Sequence, residues 1–191
     1  MTEPKDYKTE PQKKCAPRKV SPRYLENSAL HYLSRFATSA ENLKRVMMRK
    51  VQRSANHHGT DPDEGRDLID DMIARFLRSG LLDDEAYAKA RAASLHRRGN
   101  SSRIIYGKLK QKGLDGDVIE LALAALGDDE EDPERTAAIR FARRRRLGPF
   151  SHRQPLENTR EKHLAAMARA GFSYHMAKLI IDAASEDDLQ S

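Results

Sequence analysis

The side chains of this sequence best suited to chemistry are lysines and arginines, and they are unevenly spread. From Ala86 to Leu114 there is no acidic residue, yet there are eight basic ones: Lys89, Arg91, Arg97, Arg98, Arg103, Lys108, Lys110 and Lys112. A second cluster, Arg143, Arg144, Arg145 and Arg146, follows later in the chain. Cations without carboxylate neighbours bind phosphates and acidic surfaces, and each phosphate neutralised releases counterions. Complementing helix C-termini accounts for Arg97, Arg98 and Arg143 to Arg146. It does not account for a stretch of this length without an acid. These twelve residues are the candidate partner-contacting or DNA-contacting set. Base-stacking aromatics are sparse there, Tyr106 lying among the cations, and no recognition-helix signature is evident. A phosphate-rich or acidic macromolecular surface fits better than base readout.

Other chemistry is thin. Cys15 is the one cysteine and has no histidine near it in sequence, which argues against a thiol nucleophile and excludes an internal disulfide. The Gly99-Asn100-Ser101-Ser102 run lacks the lysine of a phosphate loop, and no G-x-S-x-G occurs. His57 and His58 with Asp61, Asp63 and Glu64 could suggest a metal, but adjacent histidines chelate one ion poorly and the acids suit a helix start. No catalytic residue, cofactor or metal is expected. The formal net charge of +6 favours anionic partners. No run of apolar residues is long enough to span a membrane, and the first twenty residues lack the apolar core of a signal peptide. The expectation is a soluble, cytoplasmic monomer.

The elements that position these residues are all helical. Ser21-Pro22 starts a helix with the stripe Leu25, Ala29, Leu33 and Phe36. Ser39 caps a second, with Leu43, Val46, Met47 and Val51 inside, and Ala55 to Thr60 reads as a loop. Asp61-Pro62 opens a third, through Leu68, Ile69, Met72, Ile73, Phe76 and Leu77, closed by Gly80. Asp83 or Asp84 caps a fourth, whose buried side reads as Ala86, Ala90 and Ala93 with Tyr87 beside them. Ser101 caps a fifth, with Ile105 and Leu109, closed by Gly113. Leu114 and Asp115 form a staple and cap for a sixth, apolar on most sides and expected to be the most buried of its trio. The acids Asp128 to Asp132 lead into a seventh, started by Pro133. Asn158 or Thr159 caps an eighth, ended by Gly171, and Ser173 caps a ninth. No alternating β-branched run is present.

The nine helices fall into three trios that align. Ser39, Leu43, Met47 and Lys50 recur as Ser101, Ile105, Leu109 and Lys112. Ser101, Leu109, Gly113 and Leu114 recur as Thr159, Met167, Gly171 and Phe172. Units this small bury too little alone and stack on neighbours. The expected fold is all-α, three tandem three-helix repeats forming an elongated, curved molecule. Its expected parts are a flexible basic tail (1–20), modules at 21–80, 81–127 and 128–184, and a frayed acidic tail (185–191).

At this point the chain resembles a known family. The Tyr24–Leu25, Ala29-Leu30 and Tyr32-Leu33 opening, and above all GLLDDEAYAKARAASLHRRGNSSRIIYGKLKQKGL, are similar to RecX proteins. RFARRRRLGPF and REKHLAAMARAGFSYHMAKLII are similar to that family's third module. Leu81 stands where an aromatic is commoner. The resemblance implies three tandem three-helix repeats and a non-enzymatic modulator of the RecA recombinase. Such a protein lies in the groove of the RecA–DNA filament and hampers ATP hydrolysis, strand exchange and repressor co-cleavage, within homologous recombination, DNA repair and the SOS response. DNA contact would be weak or through the filament. The alternative reading is an autonomous helical-repeat DNA-binding protein.

Overall fold

The computed structural model describes residues 16–128, 131–151 and 158–189. Among them are nine α-helices, two short 3-10 turns and no strand. The first trio is α1 (Pro22–Leu33), α2 (Ala40–His58) and α3 (Pro62–Arg78). The second is α4 (Asp84–Arg97), α5 (Ser102–Lys110) and α6 (Gly116–Ala124). The third is α7 (Pro133–Arg145), α8 (Thr159–Arg169) and α9 (Tyr174–Ile181), with 3-10 turns at Gly148–Phe150 and Asp187–Leu189.

Local chemistry fixes most helix starts. Ser39 Oγ accepts from the Asn42 N–H, Asp83 from Ala86, Ser101 from Ile104, Asp132 from Arg135 and Ser173 from Met176. Each such cap contributes about 1 kcal/mol. Helices as short as α5 and α6 are marginal alone, so packing must hold them. Each trio supplies its own core. Leu43, Met47, Val51 and Ile69 are sealed in the first; Ile105, Leu109, Leu114 and Ile119 in the second; Met167, Ile180 and three alanines of α7 in the third. The molecule is therefore a row of three small cores, not one large one. Truncating any of these large side chains to Ala removes about 2–5 kcal/mol.

Several expectations are corrected. The buried side of α4 is Ala88, Ala92, Leu95 and His96; Ala86 and Ala90 are exposed and Ala93 is half-buried. An alanine-rich helix has apolar residues on several faces, and the tertiary contact with α6 selects among them. Phe36 lies beyond the end of α1 and is 54% exposed, so it is no part of the α1 stripe. Leu77 is also exposed, at the outer edge of α3. The sixth helix is not the most buried of its trio: it seals Ile119 and Ala122, while Leu121 faces water. Asp115 sits at its N-cap but makes no capping hydrogen bond. Residues 55–58 extend α2 and do not form a loop.

The chain ends also differ from expectation. Residues 1–15 of the expected tail lie outside the described residues. Val20 already packs on the first core, and its N–H donates to Ser54 Oγ at 3.0 Å. The acidic C-terminal segment is docked through Leu189, which is buried in the third core, and Arg135 donates to its carbonyl at 3.3 Å. Glu186 pairs with Arg143 at 3.4 Å.

The modules are joined by a repeated polar device. Ser39 Oγ, the cap of α2, also donates to the carbonyl of Lys112 at the end of α5. Ser101 Oγ, the cap of α5, donates to the carbonyl of Ala170 at the end of α8. Each acceptor precedes a glycine with positive φ, Gly113 (79°) or Gly171 (86°). A Cβ on Gly113 would meet Glu41 at 2.2 Å, and one on Gly171 would meet Ser101 Oγ at 2.6 Å. An acid at the start of the next module completes each joint. Asp84 Oδ1 accepts from the Ala40 N–H at 2.8 Å. Glu134 Oε2 accepts from the Ser102 N–H at 3.0 Å and from Ser102 Oγ at 2.6 Å.

Candidate functional site

The candidate cations divide by what already holds them. Lys108 Nζ donates to Asn100 Oδ1 at 2.8 Å, and Lys112 Nζ reaches Asn42 Oδ1 at 3.4 Å. Arg143 pairs with Glu186 and lies over the Phe150 ring, 5.2 Å from its centroid. Among the described residues, the side chains of Lys89, Arg91, Arg97, Arg98, Arg103, Lys110, Arg145 and Arg146 have no hydrogen-bonded or ion-pair partner. All of these but the half-buried Arg91 are exposed. A cation on a long stem with no local partner keeps its full charge for an incoming anion.

The fold unites the two clusters that sequence keeps apart. Arg144 Nη1 donates to the carbonyl of Arg98, so the end of α7 is tied to the end of α4. Arg144 also lies over Phe141, 5.7 Å from the ring centroid. The approach is possible because residue 99 is glycine. Its φ is +71°, and a Cβ there would meet the Phe141 backbone nitrogen at 2.6 Å. His96, buried beneath this junction, places Nε2 2.6 Å from the Pro133 carbonyl, while Arg140 donates to Nδ1 at 3.3 Å. A carbonyl only accepts, so the proton sits on Nε2. Arg97, Arg98, Arg144 and Arg145 thus share one junction, held by contacts between the second and third modules. Lys89 and Arg91 lie earlier on α4, and Arg103, Lys108 and Lys110 extend along α5.

Arg146 owes its place to backbone geometry as well as charge. It ends α7 in the left-handed conformation, φ 56°, a position more often given to glycine.

At the histidine pair, the rings of His57 and His58 meet at a tilt, with centroids 4.5 Å apart, and His58 Nε2 lies 2.6 Å from the Pro17 carbonyl. Asp61 caps α3 through the Asp63 N–H. Among the described residues no group of three or more His, Cys, Asp or Glu could hold a metal ion. Among the described residues, no helix is long and apolar enough to cross a membrane.

One surface was missed from sequence. Phe36 from the turn after α1, Leu81 from the link and Tyr87 from α4 line a single groove between the first and second modules. They come from separate helical patterns, and Phe36 reads in sequence as part of the α1 stripe. The exposed aromatic at the very end of that stripe is the signal that could have marked it.

Three tandem three-helix modules define a helical-repeat protein. Residues 83–123 match the family described as RecX, second three-helix domain. The chain is 46% identical over 168 residues to the regulatory protein RecX of Myxococcus xanthus, covering 87% of this chain and 88% of that protein. It is 31% identical over 164 residues to the regulatory protein RecX of Agrobacterium fabrum, covering 86% and 85%. The chain belongs to the RecX family of regulatory proteins. Its fold is similar to the crystal structure of RecX from Lactobacillus salivarius, with a TM-score of 0.60 at 22% identity, covering 84% of this chain and 94% of that one.

Proposed function

We propose that this protein is a non-enzymatic regulator of the RecA recombinase. It lies along the RecA–DNA filament, in its helical groove, and inhibits ATP hydrolysis, strand exchange and co-protease activity. The observation that carries this reading is the union of two basic clusters at the Arg98–Arg144 contact, in a chain of the RecX family. A row of rigid modules presents these cations over several helix lengths, which suits a repeating anionic partner better than a single small ligand. DNA phosphates are met through the filament, and the protein acts as a cytoplasmic monomer.

The test is the DNA-dependent ATPase of the cognate RecA, titrated with the wild type and with Arg97→Glu/Arg103→Glu/Lys110→Glu. These three cations have no partner among the described residues, so the fold should survive, which circular dichroism checks. The wild type should inhibit below one protein per RecA, and the variant should need about tenfold more or greater. An unchanged ATPase with the wild type sinks the regulator reading. A folded variant that inhibits normally sinks the basic surface. Tight binding to DNA without RecA, weakening with a salt slope of about −0.9 per phosphate contact, would favour an autonomous DNA-binding protein instead.

A further inference from the structure

Between the first and second modules lies a groove of about 940 Å³ that the basic surface does not explain. Its walls include Leu30, Phe36, Leu81, Ala86, Tyr87 and Ala90. Leu30 is 43% exposed, Leu81 47% and Phe36 54%. Three large apolar side chains left to water around one concavity form the kind of patch that marks an interaction site. The groove is organised: Tyr32 packs on Phe36 with ring centroids 5.1 Å apart, and Leu82, next to Leu81, is locked into the first core. Ala86 and Ala90, one helical turn apart on α4, leave room that larger residues would fill.

The charges at the rim are unequal. Arg91 and Lys112 both line the groove. Asp83 lines it too, but its carboxylate is engaged in capping α4 through the Ala86 N–H. Arg91 has no hydrogen-bonded or ion-pair partner among the described residues. The groove therefore offers an apolar floor and an edge with two cations to one carboxylate, a net positive rim.

We infer that this groove docks an amphipathic protein segment, with apolar side chains against Leu30, Phe36 and Leu81 and carboxylates toward Arg91 and Lys112. That is the helix-in-groove mode of recognition, with a desolvated apolar anchor supplying affinity and rim charges supplying register. Single-stranded nucleic acid fits less well. It needs ring faces in series along a tract of cations, whereas this floor is largely aliphatic and its edge carries two cations. The inference rests on the regulator reading: the segment belongs to the recombinase whose filament the protein binds. The basic junction would meet phosphates while this groove meets protein.

The experiment places a photo-cross-linking residue in the full chain, Phe36→p-benzoylphenylalanine, with Leu121→p-benzoylphenylalanine on α6 as a control. Each is irradiated with RecA filaments formed on oligo-dT. A RecA adduct from position 36, stronger than from position 121, is the expected result. Adducts to the oligonucleotide, or between two copies of this chain, overturn the inference, as does co-sedimentation with filaments but no RecA adduct from position 36. Absence of co-sedimentation defeats the regulator reading itself, a separately recognisable failure. As a second measurement, Phe36→Ala/Leu81→Ala alters only exposed side chains and should leave the fold intact. It should weaken filament binding about tenfold or more. Unchanged binding by the folded double variant overturns the inference.

Discussion

Ser39 Oγ donates to the carbonyl oxygen of Lys112 at 2.5 Å, and Ser101 Oγ donates to that of Ala170 at 2.7 Å. The same hydroxyl in each case caps its own helix. One oxygen thus accepts within its module and donates to the next. Both serines are fully buried, so neither hydrogen bond has water as an easy substitute.

Removing these hydroxyls should therefore cost more than removing an exposed cap. Ser39→Ala and Ser101→Ala are each expected to lose about 1–2 kcal/mol, read from urea midpoints. Ser21→Ala, at an exposed cap, should lose less. Equal losses at all three positions would show that the inter-module donation contributes nothing.

Gly99 and Gly59 separate steric fit from backbone preference. Both have positive φ, +71° and +64°, but a Cβ at Gly59 meets nothing within 4 Å. Gly59→Ala should cost about 1 kcal/mol, the ordinary left-handed penalty. Gly99→Ala must also push α7 away, adding about 1–3 kcal/mol, and should expose the α4–α7 junction to protease. Matching denaturation midpoints for the two variants would contradict the close approach.

Asp84 tests the acid half of the first joint. Burial pushes its carboxyl above the usual 3.8, against the pull of the Ala40 N–H, and the neighbouring Asp115 and Asp83 carboxylates add to the rise. A raised folded value means the folded chain takes up this proton first as pH falls. The charge is then a liability at neutral pH, and Asp84 favours folding progressively as pH drops through its raised value toward 3.8. Asp84→Asn keeps an acceptor without the charge, so stability at pH 7 should hold or increase. Asp84→Ala leaves the Ala40 N–H without its acceptor and should lose about 1–2 kcal/mol. Thermal melts at pH 7 and pH 4.5 check both, and a large loss in the Asn variant would refute the assignment.

His163 carries the opposite sign. Burial holds its imidazole below the usual 6.5, and the Gly148 N–H donates to Nδ1 at 3.1 Å, which requires that nitrogen unprotonated. As pH falls, the unfolded chain takes up this proton first. The stabilising contribution is whole above about 6.5 and is lost as pH falls from there through the lower folded value. Melting temperature should decline between pH 7 and pH 5, less steeply in His163→Gln. Superimposable profiles would rule out His163 as the cause.

Helix starts, the left-handed glycines and the three-trio order were legible because they rest on local chemistry: a Ser or Asp side chain reaching a nearby N–H, or a residue that alone tolerates positive φ. The face of α4 was not. With alanines at 86, 88, 90, 92 and 93, periodicity cannot choose a side, and α6 decides. Phe36 was misplaced because the stripe runs one turn past the helix. The basic stretch was visible, but its union with the α7 arginines was not, since Arg98 and Arg144 meet only through the tertiary approach at Gly99. The docked Leu189 was hidden inside an acidic segment whose composition suggests fraying.

The repeated joint also gives the protein a direction. Each serine hydroxyl points to the module that follows it, and each receiving carbonyl and glycine belong to the later partner. The corresponding helix-ending glycine of the first module, Gly59, has nothing within 4 Å of an added Cβ, so it takes part in no such joint among the described residues. Head and tail are therefore chemically different, and the row lacks a two-fold axis. On a filament whose subunits all point one way, such a molecule can match the lattice in one orientation and mismatch it in the reverse.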